Sequence, residues 1–136
     1  MSDALCVLIV GSGGREHAMA DSALRSAHCG RLLVTPGNAG TPGERFNVAA
    51  DDVVGIVALC QTEKVDLVLV GPEAPLAAGV VDQLISVGIA AFGPSQYLAQ
   101  LESSKSFARE VTQQIGIDGP RFASFSQGNV DAALAW

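Results

Sequence analysis

Two stretches of this 136-residue chain carry side chains able to do chemistry. The first is "GSGGRE" (Gly11–Glu16), a glycine cluster followed by a guanidinium and a carboxylate. Glycines let the backbone turn tightly, so that the N–H groups opening a helix point outward at an anion. Arg15 adds a fork of donors that can grip a phosphate or a carboxylate at two points. The second is "GPEAPLAAG" (Gly71–Gly79), in which Pro72 and Pro75 stiffen a loop around Glu73 and start the next helix. A carboxylate so held can accept from the two adjacent hydroxyls of a ribose, or simply cap its helix.

The glycine cluster fails the tests for commoner nucleotide loops. A dinucleotide fingerprint needs G-x-G-x-x-G; Gly11 and Gly13 fill two places, but Glu16 stands at the third. An acid at the end of the second strand, needed for a nicotinamide ribose, is replaced by Thr35 and Pro36. No Gly-Lys-Ser/Thr follows, which excludes a P-loop. His17 and His28 have no partners at metal-ligand spacing, so His17 reads as a packing residue and His28 as a cation near a helix end. No residue is assigned a catalytic or metal-binding role. Ser103–Ser104–Lys105 reads as a surface turn more than as a helix start.

These loops need strands and helices to hold them. Leu5–Val10 reads as a buried strand, Gly14–Ala27 as a helix and Arg31–Thr35 as a second strand. Thr35–Glu44 is a Gly/Pro loop, Asn47–Ala50 a short strand, and Asp51 or Asp52 the cap of a helix to about Glu63. "DLVLV" (Asp66–Val70), apolar on both faces, suits a central parallel strand. A helix to about Val87 and a strand Ile89–Gly93 follow. This β-α-β-α-β order predicts an α/β fold: a doubly wound, Rossmann-like parallel sheet with right-handed crossovers. The glycine loop and the Glu73 loop then leave strands that flank the topological switch point, so Arg15, Glu16 and Glu73 are expected to face one crevice. Beyond Pro94 the pattern changes: Tyr97–Gln114 is helical with a break at Glu102–Ser104, Gly116–Pro120 is a linker, "RFASF" (Arg121–Phe125) alternates like a strand, and Asn129–Trp136 is helical. An amphipathic turn with nothing to pack against suggests the front of a longer protein.

Composition narrows the partners. A net charge of −6 without any Lys/Arg cluster argues against nucleic acid. Cys6, Cys29 and Cys60 lack C-x-x-C spacing and read as thiols of a reducing compartment. No basic leader and no stretch near ~20 apolar residues is present, so neither a signal peptide nor a membrane span is expected, and the expected location is cytoplasmic.

Taken together, "VLIVGSGGREHA", "PGNAGT", "VDLVLVGPEAPLAAG", "FGPS" and "AQLESSKSFAREV" resemble, in that order, the phosphoribosylamine–glycine ligase family of the ATP-grasp superfamily. The resemblance runs from Val7 to about Phe125; the helix "AMADSALRSAHCG" departs from the family's usual wording. It implies a substrate-binding, pre-ATP-grasp domain over residues 1–93, with 94–136 as connecting helices and an incomplete start of the ATP-grasp domain. It also implies a reaction in which ATP phosphorylates the carboxylate of glycine and the amine of 5-phosphoribosylamine attacks the acyl phosphate, giving glycinamide ribonucleotide for purine synthesis. The residues so implied at the substrate are Gly13, Gly14, Arg15 and Glu16 at the loop and Pro72 and Glu73 at the ribose, with Gly37 and Asn38 bordering the crevice. ATP and Mg²⁺ (or Mn²⁺) belong to the complete enzyme, none is expected on this chain alone, and without the remaining domains the chain is expected to lack ligase activity. Rival readings are another ATP-grasp ligase (a carboxylase or a formate-using transformylase), an oxidoreductase domain, or a non-catalytic sugar-phosphate-binding module.

Overall fold

The computed structural model describes residues 4–136. The described chain up to Ala99 forms one compact unit and Gln100–Trp136 a second. The first unit runs β1 (Leu5–Gly11), α1 (Gly14–Leu24), β2 (Cys29–Pro36), β3 (Glu44–Arg45), α2 (Val53–Glu63), β4 (Leu67–Val70), α3 (Glu73–Ala77), α4 (Val80–Ser86) and β5 (Ala90–Phe92). Its five strands pair in parallel in the order β3-β2-β1-β4-β5. The chain builds outward from β1 to one edge, returns, and builds to the other edge, so the expected doubly wound sheet is present and its switch point lies between β1 and β4.

Burial explains why the apolar runs are strands. Val7 to Val10 are all 5% exposed or less, as they must be in a central strand covered on both faces. Alternation splits them: Leu8 and Val10 join Leu33, Ile56, Val68, Val80 and Leu84 in the larger core, while Val7 and Ile9 join Ala20, Leu32 and Val34 beneath α1. Each of the valines, leucines and isoleucines among them, fully buried, contributes roughly 1.5–3 kcal/mol. Cys60 lies in the larger core, where burial pushes its thiol up to about 11. Burial also raises the Cys6 thiol, with Arg31 opposing and Asp66 and Glu63 adding to the rise.

Several elements differ from expectation for identifiable reasons. The expected strand Asn47–Ala50 is displaced: β3 is Glu44–Arg45, pairing with Leu33 and Val34. Phe46, Val48 and Ala50 pack on the core instead, and the segment is held by the buried Thr35 hydroxyl, 2.8 Å from the Val48 carbonyl, 3.1 Å from that of Phe46 and accepting the Val48 N–H at 3.1 Å. Asp52 does cap α2, its Oδ1 accepting from Gly55 N–H at 2.9 Å. The helix expected to run to Val87 breaks into α3 and α4 because Gly79 adopts a left-handed φ of 87°. Gln96 covers the break, its Nε2 donating to the Ala77 carbonyl at 3.0 Å.

Three helices complete the chain: α5 (Gln96–Ser103), which carries the boundary between the units, α6 (Lys105–Gln114) and α7 (Val130–Ala135). Ser104 is a helix cap rather than a surface turn, its Oγ accepting from Phe107 N–H at 3.3 Å. Arg121–Phe125 is not a strand; alternation alone does not make one without a partner edge, and the second unit offers no strand among its described residues. Its aromatic and basic residues instead cluster on Trp136, with Phe125 edge-on at 6.5 Å and the Arg121 guanidinium 5.2 Å over the ring.

Candidate functional site

Three loops meet at the carboxyl end of the sheet. The first leaves β1 at Gly11, whose φ of 129° is open only to glycine. The second leaves β4, whose last residue Val70 pairs with Val10, and Gly71 N–H donates to the Val10 carbonyl at 3.1 Å. The third leaves β2 at Gly37, whose N–H donates to the Gly11 carbonyl at 3.1 Å. Asn38 stitches the third loop together and to the first. Its Oδ1 accepts from Gly40 N–H at 2.9 Å, its backbone N–H donates to Thr41 Oγ1 at 3.0 Å, and its Nδ2 donates to the Ser12 carbonyl at 2.8 Å. Ser12, Thr41 and Gly71 are thus parts of the site that sequence reasoning did not single out. Gly71 had a signal, standing at the first position after an apolar strand; Ser12 takes part through its backbone carbonyl, which side-chain type cannot reveal.

At the mouth stand the two side chains of opposite charge. Arg15, in the first turn of α1, brings Nη2 to 3.6 Å from Oε2 of Glu73, the first residue of α3. Both are more than half exposed (67% and 56%), so the pair is a weak, solvated one that a ligand can displace. Once separated, the two offer an anion donor on one side and a hydroxyl acceptor on the other. Gly13 and Gly14 are exposed at the start of α1, where backbone amides of the first turn lack main-chain partners in the helix; Gly37, Asn38 and Pro72, on the adjoining loops, are half-buried.

Glu16 is the exception. It was expected to face the crevice, but it is 4% exposed and turned beneath the loops. It is the third residue of α1, the position from which a glutamate reaches back to the helix start, and its Oε2 accepts from Gly13 N–H at 2.7 Å. The space it occupies exists because three neighbours lack a Cβ: one on Gly11 would come within 2.5 Å of Glu16 Cγ, one on Gly13 within 2.8 Å of Oε2, and one on Gly71 would overlap Oε1. The glycines of this turn therefore make room for a carboxylate, whereas in a dinucleotide loop they admit a pyrophosphate. His17 is half-buried, its Cε1 beside Gly40. Among the described residues no group of three or more His, Cys, Asp or Glu side chains is placed to hold a metal ion. No helix is long and apolar enough to cross a membrane among them.

A family model described as phosphoribosylglycinamide synthetase, N domain, matches residues 5–102, which include all three loops. The chain belongs to this family. The family resemblance carried by GSGGREH, PGNAGT and GPEAPL is thereby borne out. Relatives named phosphoribosylamine–glycine ligase include one from Allochromatium vinosum, 45% identical over 96% of this chain and 31% of its own length, and one from Xanthomonas campestris pv. campestris, 48% identical over the same shares. A trifunctional purine biosynthetic protein adenosine-3 from Bos taurus is 46% identical over 89% of this chain and 12% of its own length. The chain thus spans about a third (31%) of the bacterial relatives it matches. Among solved structures, the biotin carboxylase domain of a single-chain bacterial carboxylase matches with a TM-score of 0.70 at 17% identity, over 96% of this chain and 33% of that one. N5-carboxyaminoimidazole ribonucleotide synthetase from Thermotoga maritima matches with a TM-score of 0.63 at 18% identity, over 96% and 36%. At these identities the likeness is one of fold.

Proposed function

We propose that the crevice between the three loops binds the ribose-phosphate part of 5-phosphoribosylamine. The chain would then serve as the substrate-binding front portion of an ATP-dependent ligase joining glycine to that amine to give glycinamide ribonucleotide. The observation that carries the reading is the Arg15–Glu73 pair, 3.6 Å apart across the switch point of a chain from the phosphoribosylglycinamide synthetase family. Glu73 accepts from the two adjacent ribose hydroxyls, with Pro72 fixing the loop that carries it. Arg15 and the amide of Gly14 hold the anionic part, with Gly13, whose own N–H is taken by Glu16, shaping the turn beside them. Gly37 and Asn38 form the third wall, and Glu16 acts from below.

Residues 1–93 constitute the binding domain on this reading, and 94–136 lead into the ATP-grasp part. ATP and Mg²⁺ are used by the whole ligase. The donors of this chain do not fit them: no metal-holding cluster occurs among the described residues, and the glycine loop is filled by a carboxylate. No step through either is assigned to these residues. A cytoplasmic location accords with a biosynthetic ligase.

Calorimetric titration with ribose 5-phosphate, a stable stand-in for 5-phosphoribosylamine, tests the reading, with NADH in parallel. The expected result is binding of ribose 5-phosphate, weakened at least about tenfold in Glu73→Ala because hydrogen bonds to a charged acceptor are lost. Binding of NADH in its place would overturn it.

A further inference from the structure

Glu16 poses a physical question that the loop alone does not answer. Its Oε2 is satisfied by Gly13 N–H, but Oε1 is fully buried and has no hydrogen-bond partner. A buried carboxylate oxygen left unpaired is costly, and a glutamine or an apolar residue in that place would avoid the charge. The cation that faces it is Arg15, whose Nε stands 3.9 Å from Oε1: an ion-pair distance, longer than a hydrogen bond. The same guanidinium presents Nη2 to Glu73 at 3.6 Å on its other side. Arg15 is therefore shared between a buried carboxylate below and an exposed one across the crevice.

We propose that Glu16 is a positioning residue: an anion beneath the crevice that holds the Gly13 turn and draws the Arg15 guanidinium back from Glu73, without touching the ligand. The inference rests on the proposed binding role of Arg15 and Glu73. Its physical content is a competition. With only Glu73 as counter-charge, Arg15 closes onto it, and the carboxylate that should accept ribose hydroxyls is neutralised by an internal partner. The low dielectric around the buried Glu16 makes its pull on the Nε edge stronger than the same distance would give in water. The guanidinium is thus held by its inner edge, with its outer N–H groups directed to the crevice. The three glycines that admit the carboxylate are what make the arrangement possible.

The test uses the ¹⁵N-labelled chain with Glu16→Gln, which keeps the shape, and Glu73→Gln. The Arg15 Nε chemical shift, which responds to the charge facing that edge, should move further in Glu16→Gln than in Glu73→Gln. A resonance that moves as far or further in Glu73→Gln would overturn the proposal without any ligand. Ribose 5-phosphate titrations form the second arm. Glu16→Gln should weaken binding about tenfold while the thermal midpoint stays within about 5 °C, and should add less than about twofold in an Arg15→Ala background, because the effect runs through Arg15. An equal loss in both backgrounds, or none in either, would overturn it. If the wild type fails to bind ribose 5-phosphate, the binding role falls, and the Arg15 resonance still decides whether Glu16 holds the guanidinium.

Discussion

Replacing Gly71 by alanine asks how tightly the buried carboxylate is wedged. The φ of Gly71 is not in the left-handed region, so the substitution carries no backbone strain. The added methyl would overlap Oε1 of Glu16 and stand 2.5 Å from its Cγ and Cδ, more than an ångström inside normal contact. Glu16 has two responses. It can be squeezed in place, an overpacking that costs about 1–3 kcal/mol. It can instead be expelled, forfeiting the 2.7 Å charge-assisted bond to Gly13 N–H, worth about 1.5–3 kcal/mol. Against this stands a gain of about 0.4–1 kcal/mol from restricting the unfolded chain. The net expectation is a loss of about 1–2 kcal/mol, or a fall of roughly 5–15 °C in thermal midpoint for a unit of this size. Gly14→Ala is the control, since a methyl there meets nothing within 4 Å; it should stay within about 0.5 kcal/mol of wild type or rise. Circular dichroism melts with urea titrations supply both numbers. In a Glu16→Ala background the cost of Gly71→Ala should shrink below about 0.5 kcal/mol. Equal melts for Gly71→Ala and Gly14→Ala, or an undiminished cost without Glu16, would refute the wedge.

Other substitutions probe the frame that carries the loops. Thr35→Val removes the hydroxyl that holds Phe46–Val48 and should cost about 1–3 kcal/mol, seen as a lower urea midpoint with unchanged slope. Leu8→Ala, at 0% exposure in the larger core, should cost about 2–5 kcal/mol by the same assay. Asp52→Ala strips the α2 cap and should cost about 1 kcal/mol, with Asp52→Asn recovering most of it. Cys60 gives a pH signature. The folded state favours the protonated thiol, so its contribution is complete below the ordinary thiol value of 9.0 and is lost as pH rises toward about 11. The loss amounts to at most about 3 kcal/mol, and Cys60→Ala should flatten the alkaline limb of a stability–pH curve.

The parts of the fold legible in the sequence were those where one physical signal dominates. Leu5–Val10 and Asp66–Val70 could be placed because continuous apolar runs have one comfortable home in a parallel sheet, and two such strands followed by loops locate a switch point. The edge strand Glu44–Arg45 was not legible: its residues are polar, and the nearby Phe46, Val48 and Ala50 are half-buried by packing on the core, with Val48 tied to Thr35, rather than by sheet pairing. The break at Gly79 was hidden because a glycine in an alanine-rich stretch is compatible with a helix until its φ is known. At the site, Arg15 and Glu73 were found from charge and topology, and the structure brings them within 3.6 Å. Glu16 was assigned to the crevice on the same grounds. What turns it inward is a set of missing Cβ atoms on Gly11, Gly13 and Gly71, the last of them on a loop distant in sequence and adjacent only after β1 and β4 pair.

The most direct test of the central claim is a map of backbone amide shifts as ribose 5-phosphate is added to the chain. The account predicts that the amides of Gly13, Gly14, Arg15, Asn38 and Glu73 move together with one dissociation constant. The second unit contains a cavity of about 460 Å³ lined by residues including Arg109, Arg121 and Trp136. Shifts confined to those residues, with the three loops unmoved, would contradict the account.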